Sequence, residues 1–109
     1  MTGLGAIFTD NNTDLRRETS MNVSYIAHIS GRVQGVYFRA SCQQQAIDLS
    51  LSGYARNLDD GDVEVLLCGE QSNIDKMLVW LGNGPEEADV TGIKHKQVAL
   101  QAHSFFSIG

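Results

Sequence analysis

The fold is predicted from one stretch, Gly31-Arg32-Val33-Gln34-Gly35-Val36-Tyr37-Phe38-Arg39, in which a strand gives way to a helix. Before it, Tyr25-Ile26-Ala27-His28-Ile29 alternates and contains β-branched residues, as strands do. After it, apolar residues recur at helical spacing: Phe38, Cys42, Ala46 and Leu49. A strand-to-helix turn leaves several backbone N–H groups without intrachain partners, and these converge on one point. The stretch therefore predicts an anion site, for phosphate above all.

Arg39 falls in the first turn of the predicted helix. A cation there opposes the helix dipole at a cost of about 0.3–1 kcal/mol, so it is a poor choice for stability. Its guanidinium is well suited to hold a phosphoryl group through two parallel hydrogen bonds. The alternative is a surface arginine with its head group in water. Local physics alone favours the two interpretations equally.

The order of predicted elements is β-α-β-β-α-β with a short extra strand. Asp59-Asp60-Gly61-Asp62 predicts a hairpin turn, so the strands on either side of it are antiparallel. The second helix is expected to be capped by Ser72 or Asn73 and to stop at Gly82-Asn83-Gly84-Pro85. This order predicts an α+β fold, the ferredoxin-like sandwich, with both helices on one face of an antiparallel sheet. The predicted strands cover residues 22–30, 54–58, 63–68, 90–98 and 105–108, and the first helix covers residues 38–51.

The composition is that of one soluble domain. The chain has 109 residues, 42% of them hydrophobic and 19% charged, with a net charge of −5. An acidic balance disfavours general binding to nucleic acid or to an anionic membrane. Residues 1–20 are polar and without periodicity, and we interpret them as a flexible N-terminal tail before a domain over residues 21–109. No signal peptide or transmembrane run is predicted, and the expected compartment is the cytoplasm.

Metal and redox chemistry have little support in the sequence. Cys42 and Cys68 lack metal-ligand spacing and are expected to be small buried residues rather than a disulfide. The three histidines lie far apart in sequence, and the aspartates of residues 59–62 resemble only part of a calcium loop. We therefore predict no metal site and no cofactor.

A resemblance now adds to these inferences. The stretch from Gly31 to Arg39, followed by Gly53-Tyr54-Ala55-Arg56-Asn57-Leu58-Asp59-Asp60-Gly61-Asp62-Val63-Glu64-Val65, resembles the two signature segments of the acylphosphatase family. The likeness covers about residues 25–108 and leaves the first twenty residues outside. Two segments in the right order, within the matching pattern of elements, are highly specific. The resemblance implies the ferredoxin-like fold and metal-free hydrolysis of the carboxyl–phosphate bond of acyl phosphates.

The resemblance also implies roles for particular residues. Arg39 would bind the phosphoryl group and Asn57 would position the attacking water. Tyr37 occupies a position that varies among relatives, so its side chain receives no chemical role. Backbone amides for the phosphoryl oxygens would come from Gln34, Gly35, Val36, Tyr37 and Phe38.

Residue chemistry is compatible with these roles. An acyl phosphate loses a stabilised carboxylate, so no strong general acid is needed. Phosphoryl transfer relies mainly on positioning and on stabilising the charge of the equatorial oxygens. Asn57 is no base, but its carbonyl oxygen can fix a water in line with phosphorus. Without the resemblance, a turn-capping role for Asn57 would be favoured.

Two other functions share this fold. A non-catalytic module could sense an anion or bind RNA, but RNA-binding versions need aromatic strands and a basic surface, which this chain lacks. A detached relative of the domain in hydrogenase maturation proteins is unsupported, because the zinc-finger cysteines are absent. The expected partner is a small acyl phosphate, with inorganic phosphate or sulfate as competing anions. No nucleic acid or membrane partner is expected, and the chain is expected to be a monomer.

Overall fold

The computed structural model describes residues 22–101 and 103–109. The tail expected over residues 1–20, and the expected start of the domain at Met21, lie outside these residues. Within these residues, five strands and two helices follow one another in the predicted order. They are β1 (Asn22–Arg32), α1 (Phe38–Asp48), β2 (Ser52–Asn57), β3 (Val63–Glu70), α2 (Gln71–Asn83), β4 (Asp89–Val98) and β5 (Phe106–Ile108).

The strands form one sheet in the order β4-β1-β3-β2-β5. The first four strands pair in antiparallel fashion, which confirms the predicted sheet and the hairpin between β2 and β3. The short extra strand β5 is also confirmed, but it pairs parallel to β2 at the edge, so the whole sheet is mixed. No described helix has the length and apolar character needed to cross a membrane.

Both helices pack on the same face of the sheet. The buried residues Phe38, Cys42 and Ala46 of α1 belong to the same core as Ile74, Met77 and Leu81 of α2. The sheet supplies alternate residues to this core, as the two-residue period of a strand requires. They include Ala27, Ile29, Ala55, Val63, Val65 and Leu67. Burial of each large apolar side chain contributes about 1.5–3 kcal/mol relative to exposure, so this single core fixes the helices on the sheet.

Two predicted helix ends are wrong. Helix α1 stops at Asp48 rather than at residue 51, because Ser50 takes a left-handed φ of 57°. Helix α2 begins at Gln71, with Glu70 as its extended N-cap, so Ser72 and Asn73 lie inside the helix and do not cap it. No side chain caps α2 by a hydrogen bond. The predicted stop at Gly82-Asn83-Gly84-Pro85 is confirmed, with Asn83 as the last helical residue and Gly84 as the C-cap.

Gly53 in β2 has no room for a side chain. Its φ is +133°, and a Cβ there would lie 1.9 Å from the backbone oxygen of Leu66 on β3. We expect Gly53→Ala to lower the free energy of unfolding by about 3 kcal/mol or more, measured by urea denaturation.

Gly82→Ala is the matched control. Gly82 lies near the end of α2, and a Cβ there would meet nothing within 4 Å. Removing a helical glycine should stabilise the protein by about 0.5–1 kcal/mol. Equal stability of Gly53→Ala and the wild type would contradict this account of the β2–β3 contact.

Candidate active site

Three chain segments meet at one end of the sheet. Strands β1 and β2 are both antiparallel to β3, so they run in the same direction, and β5 runs parallel to β2. The loop after β1, the end of β2 and the end of β5 therefore lie at the same end of the sheet. In this topology the loop before Arg39 and the strand end at Asn57 can approach each other.

The loop between β1 and α1 has two left-handed residues, Gly35 with a φ of 73° and Tyr37 with a φ of 59°. A Cβ on Gly35 would meet nothing within 4 Å, so a side chain would fit here. Glycine is favoured at this position because of its left-handed backbone conformation. Tyr37 is the N-cap of α1 and lies 82% exposed. A non-glycine residue in this conformation costs about 1–2 kcal/mol. Such strain concentrates at functional sites.

The amides of this loop remain available as donors. Within the described part of the chain, no backbone N–H of residues 34–38 donates a hydrogen bond to a protein acceptor. Helix α1 also has no acidic residue in its first turn and no side-chain cap. The positive end of its dipole is therefore uncompensated by described side chains, as an anion site requires.

Arg39 lies beside a hollow of about 420 Å³. It is half-buried, and its Nη1 donates a long hydrogen bond of 3.4 Å to the carbonyl oxygen of Gly109, just after β5. Among the described residues, no Asp or Glu side chain forms an ion pair with it. Arg39 thus lines the same hollow as residues of the loop and lacks an acidic side-chain partner among the described residues. The hollow is lined by Val33, Gly35, Tyr37, Phe38, Arg39, Ala40 and Ile108.

Arg56 shows the opposite behaviour. Its Nη2 lies 3.0 Å from Glu64 Oε2, and its guanidinium lies over the Tyr54 ring at 5.3 Å. Burial, together with a hydrogen bond to Glu64, raises the pKa of Tyr54. This arginine is occupied by structural partners, so its charge is compensated.

Asn57 is the last residue of β2 and pairs with Val63 of β3. It is exposed, and its side chain makes no hydrogen bond to another described residue, whereas turn capping would require one. Asn57 does not line the hollow, and neither does Gln34 nor Val36. Gly109 connects the two regions, since its N–H donates to Ala55 of β2 while its carbonyl oxygen accepts from Arg39.

Sequence reasoning missed two features of this end of the sheet. The Gln34 side chain donates to the carbonyl oxygens of Leu58 and Asp62, both at 2.9 Å. His28, Asp60 and Asp62 form a cluster whose ligand atoms lie within 4.8 Å of one another, with His28 Nε2 2.7 Å from Asp62 Oδ2. No spacing signal exists for either, because one partner lies in β1 or the loop after it and the others lie in the turn between β2 and β3. The register of β1 and β3 would have been needed to find them.

The cysteines offer no nucleophile to the site. Both are buried and free, as expected. Burial raises the pKa of the Cys42 thiol to about 12, so it remains protonated at neutral pH.

Known proteins resemble this chain in both sequence and fold. A family model described as Acylphosphatase matches residues 25–108. The chain is similar to an acylphosphatase of Colwellia psychrerythraea strain 34H, with 76% identity over 89 residues, covering 82% of this chain and 100% of the relative. It also resembles the structure of an acylphosphatase from Coxiella burnetii, with a TM-score of 0.82 and 33% identity over 87% of this chain and 100% of that one. For the acylphosphatase structure from Bacillus subtilis the TM-score is 0.77 and the identity 35%, over 80% of this chain and 98% of that one.

Proposed function

Since the chain belongs to the acylphosphatase family, whose members are hydrolases acting on acid anhydrides, we propose that the hollow beside Arg39 is where it cleaves acyl phosphates without a metal. The products are a carboxylate and inorganic phosphate. One observation carries the proposal: a single hollow is lined by Arg39, which has no described Asp or Glu partner, and by a loop whose backbone N–H groups donate to no described acceptor.

The phosphoryl group binds between Arg39 and the loop. The guanidinium donates two parallel hydrogen bonds to phosphoryl oxygens, and amides of residues 34–38 donate to the same group. In the loose transition state of phosphoryl transfer, negative charge is spread over these equatorial oxygens. Donors fixed in advance by the loop and helix stabilise that charge without reorganising, in the manner of an oxyanion hole.

Asn57 fixes the attacking water from the end of β2. Its amide oxygen accepts a hydrogen bond from the water, whose own oxygen then faces phosphorus in line with the leaving carboxylate. The carboxylate leaves as a stable anion and needs no general acid. The water proton passes to a phosphoryl oxygen of the substrate, so no titratable side chain is required in the step.

The remaining parts of the proposal concern competing anions, cellular compartment, oligomeric state and domain bounds. We expect inorganic phosphate and sulfate to compete with substrate, because they carry the same tetrahedral oxygens. We also expect the enzyme to act in the cytoplasm as a monomer. The domain proper is assigned to residues 21–109.

Hydrolysis of benzoyl phosphate tests the function directly. We expect phosphate release by the purified chain, unchanged after exhaustive treatment with EDTA, and competitive inhibition by inorganic phosphate. The EDTA treatment is informative because His28, Asp60 and Asp62 form a cluster that could hold a metal ion. Activity lost on chelation and restored by a divalent cation would contradict the metal-free proposal, and no release at all would contradict the function.

A further inference from the structure

The two halves of the proposed site are held by strands that do not touch each other. The amide loop follows β1, Asn57 ends β2, and β3 lies between these strands in the sheet. No ladder hydrogen bond therefore joins β1 to β2. In-line attack nevertheless requires the water at Asn57 and the phosphorus in the loop to be placed within a fraction of an ångström.

The Gln34 side chain spans this gap. Its Nε2 donates to the carbonyl oxygens of Leu58, which follows Asn57, and Asp62, which precedes β3, each at 2.9 Å. The backbone N–H of Leu58 donates to the same Asp62 oxygen at 2.8 Å, which closes the turn. A carboxamide has two N–H donors, so both are used here.

Few other contacts connect the loop after β1 to the turn between β2 and β3. Among the described residues, no other hydrogen bond joins residues 34–38 to residues 58–62. His28 and Ser30 also contact Asp62, but they lie in β1 before the loop begins. The left-handed residues Gly35 and Tyr37 give the loop a conformation that its surroundings must maintain.

From this bridge, and on the basis of the function proposed above, we infer that the Gln34 side chain is a positioning residue for acyl phosphate hydrolysis. It sets the separation between the amide loop and Asn57 while touching neither substrate nor water. The backbone N–H of Gln34 is a separate group and is retained in every variant at this position.

The inference predicts a particular kinetic change. Gln34→Met keeps the length of the side chain and removes both donors. We expect kcat to fall about 10- to 100-fold, because loop and Asn57 lose their alignment. The inhibition constant of inorganic phosphate should stay within about threefold of the wild-type value, since Arg39 and the loop amides remain.

Gln43→Met is the matched control. Gln43 Nε2 also donates to a backbone oxygen, that of Phe106, at 2.8 Å, but it connects α1 to β5. Loss of this bond should cost about as much stability as loss of one Gln34 bond, with kcat within about twofold of the wild type. If Gln34→Met and Gln43→Met show the same kcat, the role of Gln34 is structural and the inference is wrong.

A double variant shows whether Gln34→Met lowers kcat by misplacing Asn57 or by disturbing the structure in general. In the Asn57→Ala background the water is no longer fixed, so adding Gln34→Met should change kcat by less than about threefold. If the two single effects on kcat multiply in the double variant, the inference is wrong.

Gln34→Asn, whose side chain is one methylene shorter, replaces Gln34→Met if that variant does not fold. An unchanged kcat in Gln34→Asn would also overturn the inference. An inactive wild type would instead contradict the proposed function, so the two failures are distinguishable.

Discussion

Replacing Arg39 with alanine is expected to lower kcat/KM for benzoyl phosphate about 100- to 1,000-fold, the loss typical of removing one preorganised donor to a developing anion. Arg39 lines the hollow and pairs with no described Asp or Glu side chain, so its charge is available to the phosphoryl group. The same change should weaken competitive inhibition by inorganic phosphate. Steady-state kinetics with phosphate as inhibitor measures both effects.

Two further variants show what the arginine contributes. Arg39→Lys keeps the charge but lacks the planar fork, so we expect partial recovery of activity. Arg56→Ala removes a positively charged side chain that is already paired with Glu64. Because that charge is compensated, kcat should stay within a few-fold of the wild type. Full activity of Arg39→Ala, or equal losses at both arginines, would show that the phosphoryl site lies elsewhere.

Asn57→Ala is expected to lose rate while it retains binding. The side chain is exposed and makes no hydrogen bond to a described residue, so its removal leaves the strand intact. Because it holds only the water, we expect kcat to fall about 100-fold while the inhibition constant of phosphate is nearly unchanged.

Asn83→Ala serves as the control for Asn57→Ala. Asn83 is an exposed asparagine at the end of α2, and its Nδ2 donates to Val79 of the same helix at 3.3 Å. Its loss should leave kinetics unaffected. If Asn57→Ala instead weakened phosphate inhibition in step with kcat, Asn57 would be a phosphoryl ligand rather than the residue that holds the water.

Most of the architecture could be predicted from local pattern. Apolar periodicity located both helices, and the run Asp59-Asp60-Gly61-Asp62 located the hairpin, because each signal depends on residues close in sequence. Errors occurred where tertiary packing decides the outcome. Helix α1 ends at Asp48 since Ser50 turns left-handed, and α2 begins before the polar residues Ser72 and Asn73 that local rules favour as caps.

The candidate site was inferred mainly from the family motif, and only partly from the physical properties of its residues. Arg39 and Gly35 follow from the logic of a helix start that receives an anion, and both line the hollow. The bond from Gln34 to Asp62 and the contact of His28 with Asp62 span 28 and 34 residues. No local pattern encodes such contacts, because they exist only after β1 and β3 have paired in the correct register.

The parallel pairing of β5 with β2 has a consequence for when the enzyme becomes active. Ile108 lines the hollow together with residues more than half a chain away in sequence, and Gly109 contacts Arg39 across a separation of 70 residues. Contacts between such distant positions form late, because the intervening chain must first be ordered. During synthesis from the N-terminus, the proposed catalytic hollow is therefore completed only after β5 has left the ribosome. In refolding, recovery of turnover should therefore lag behind the return of helical signal.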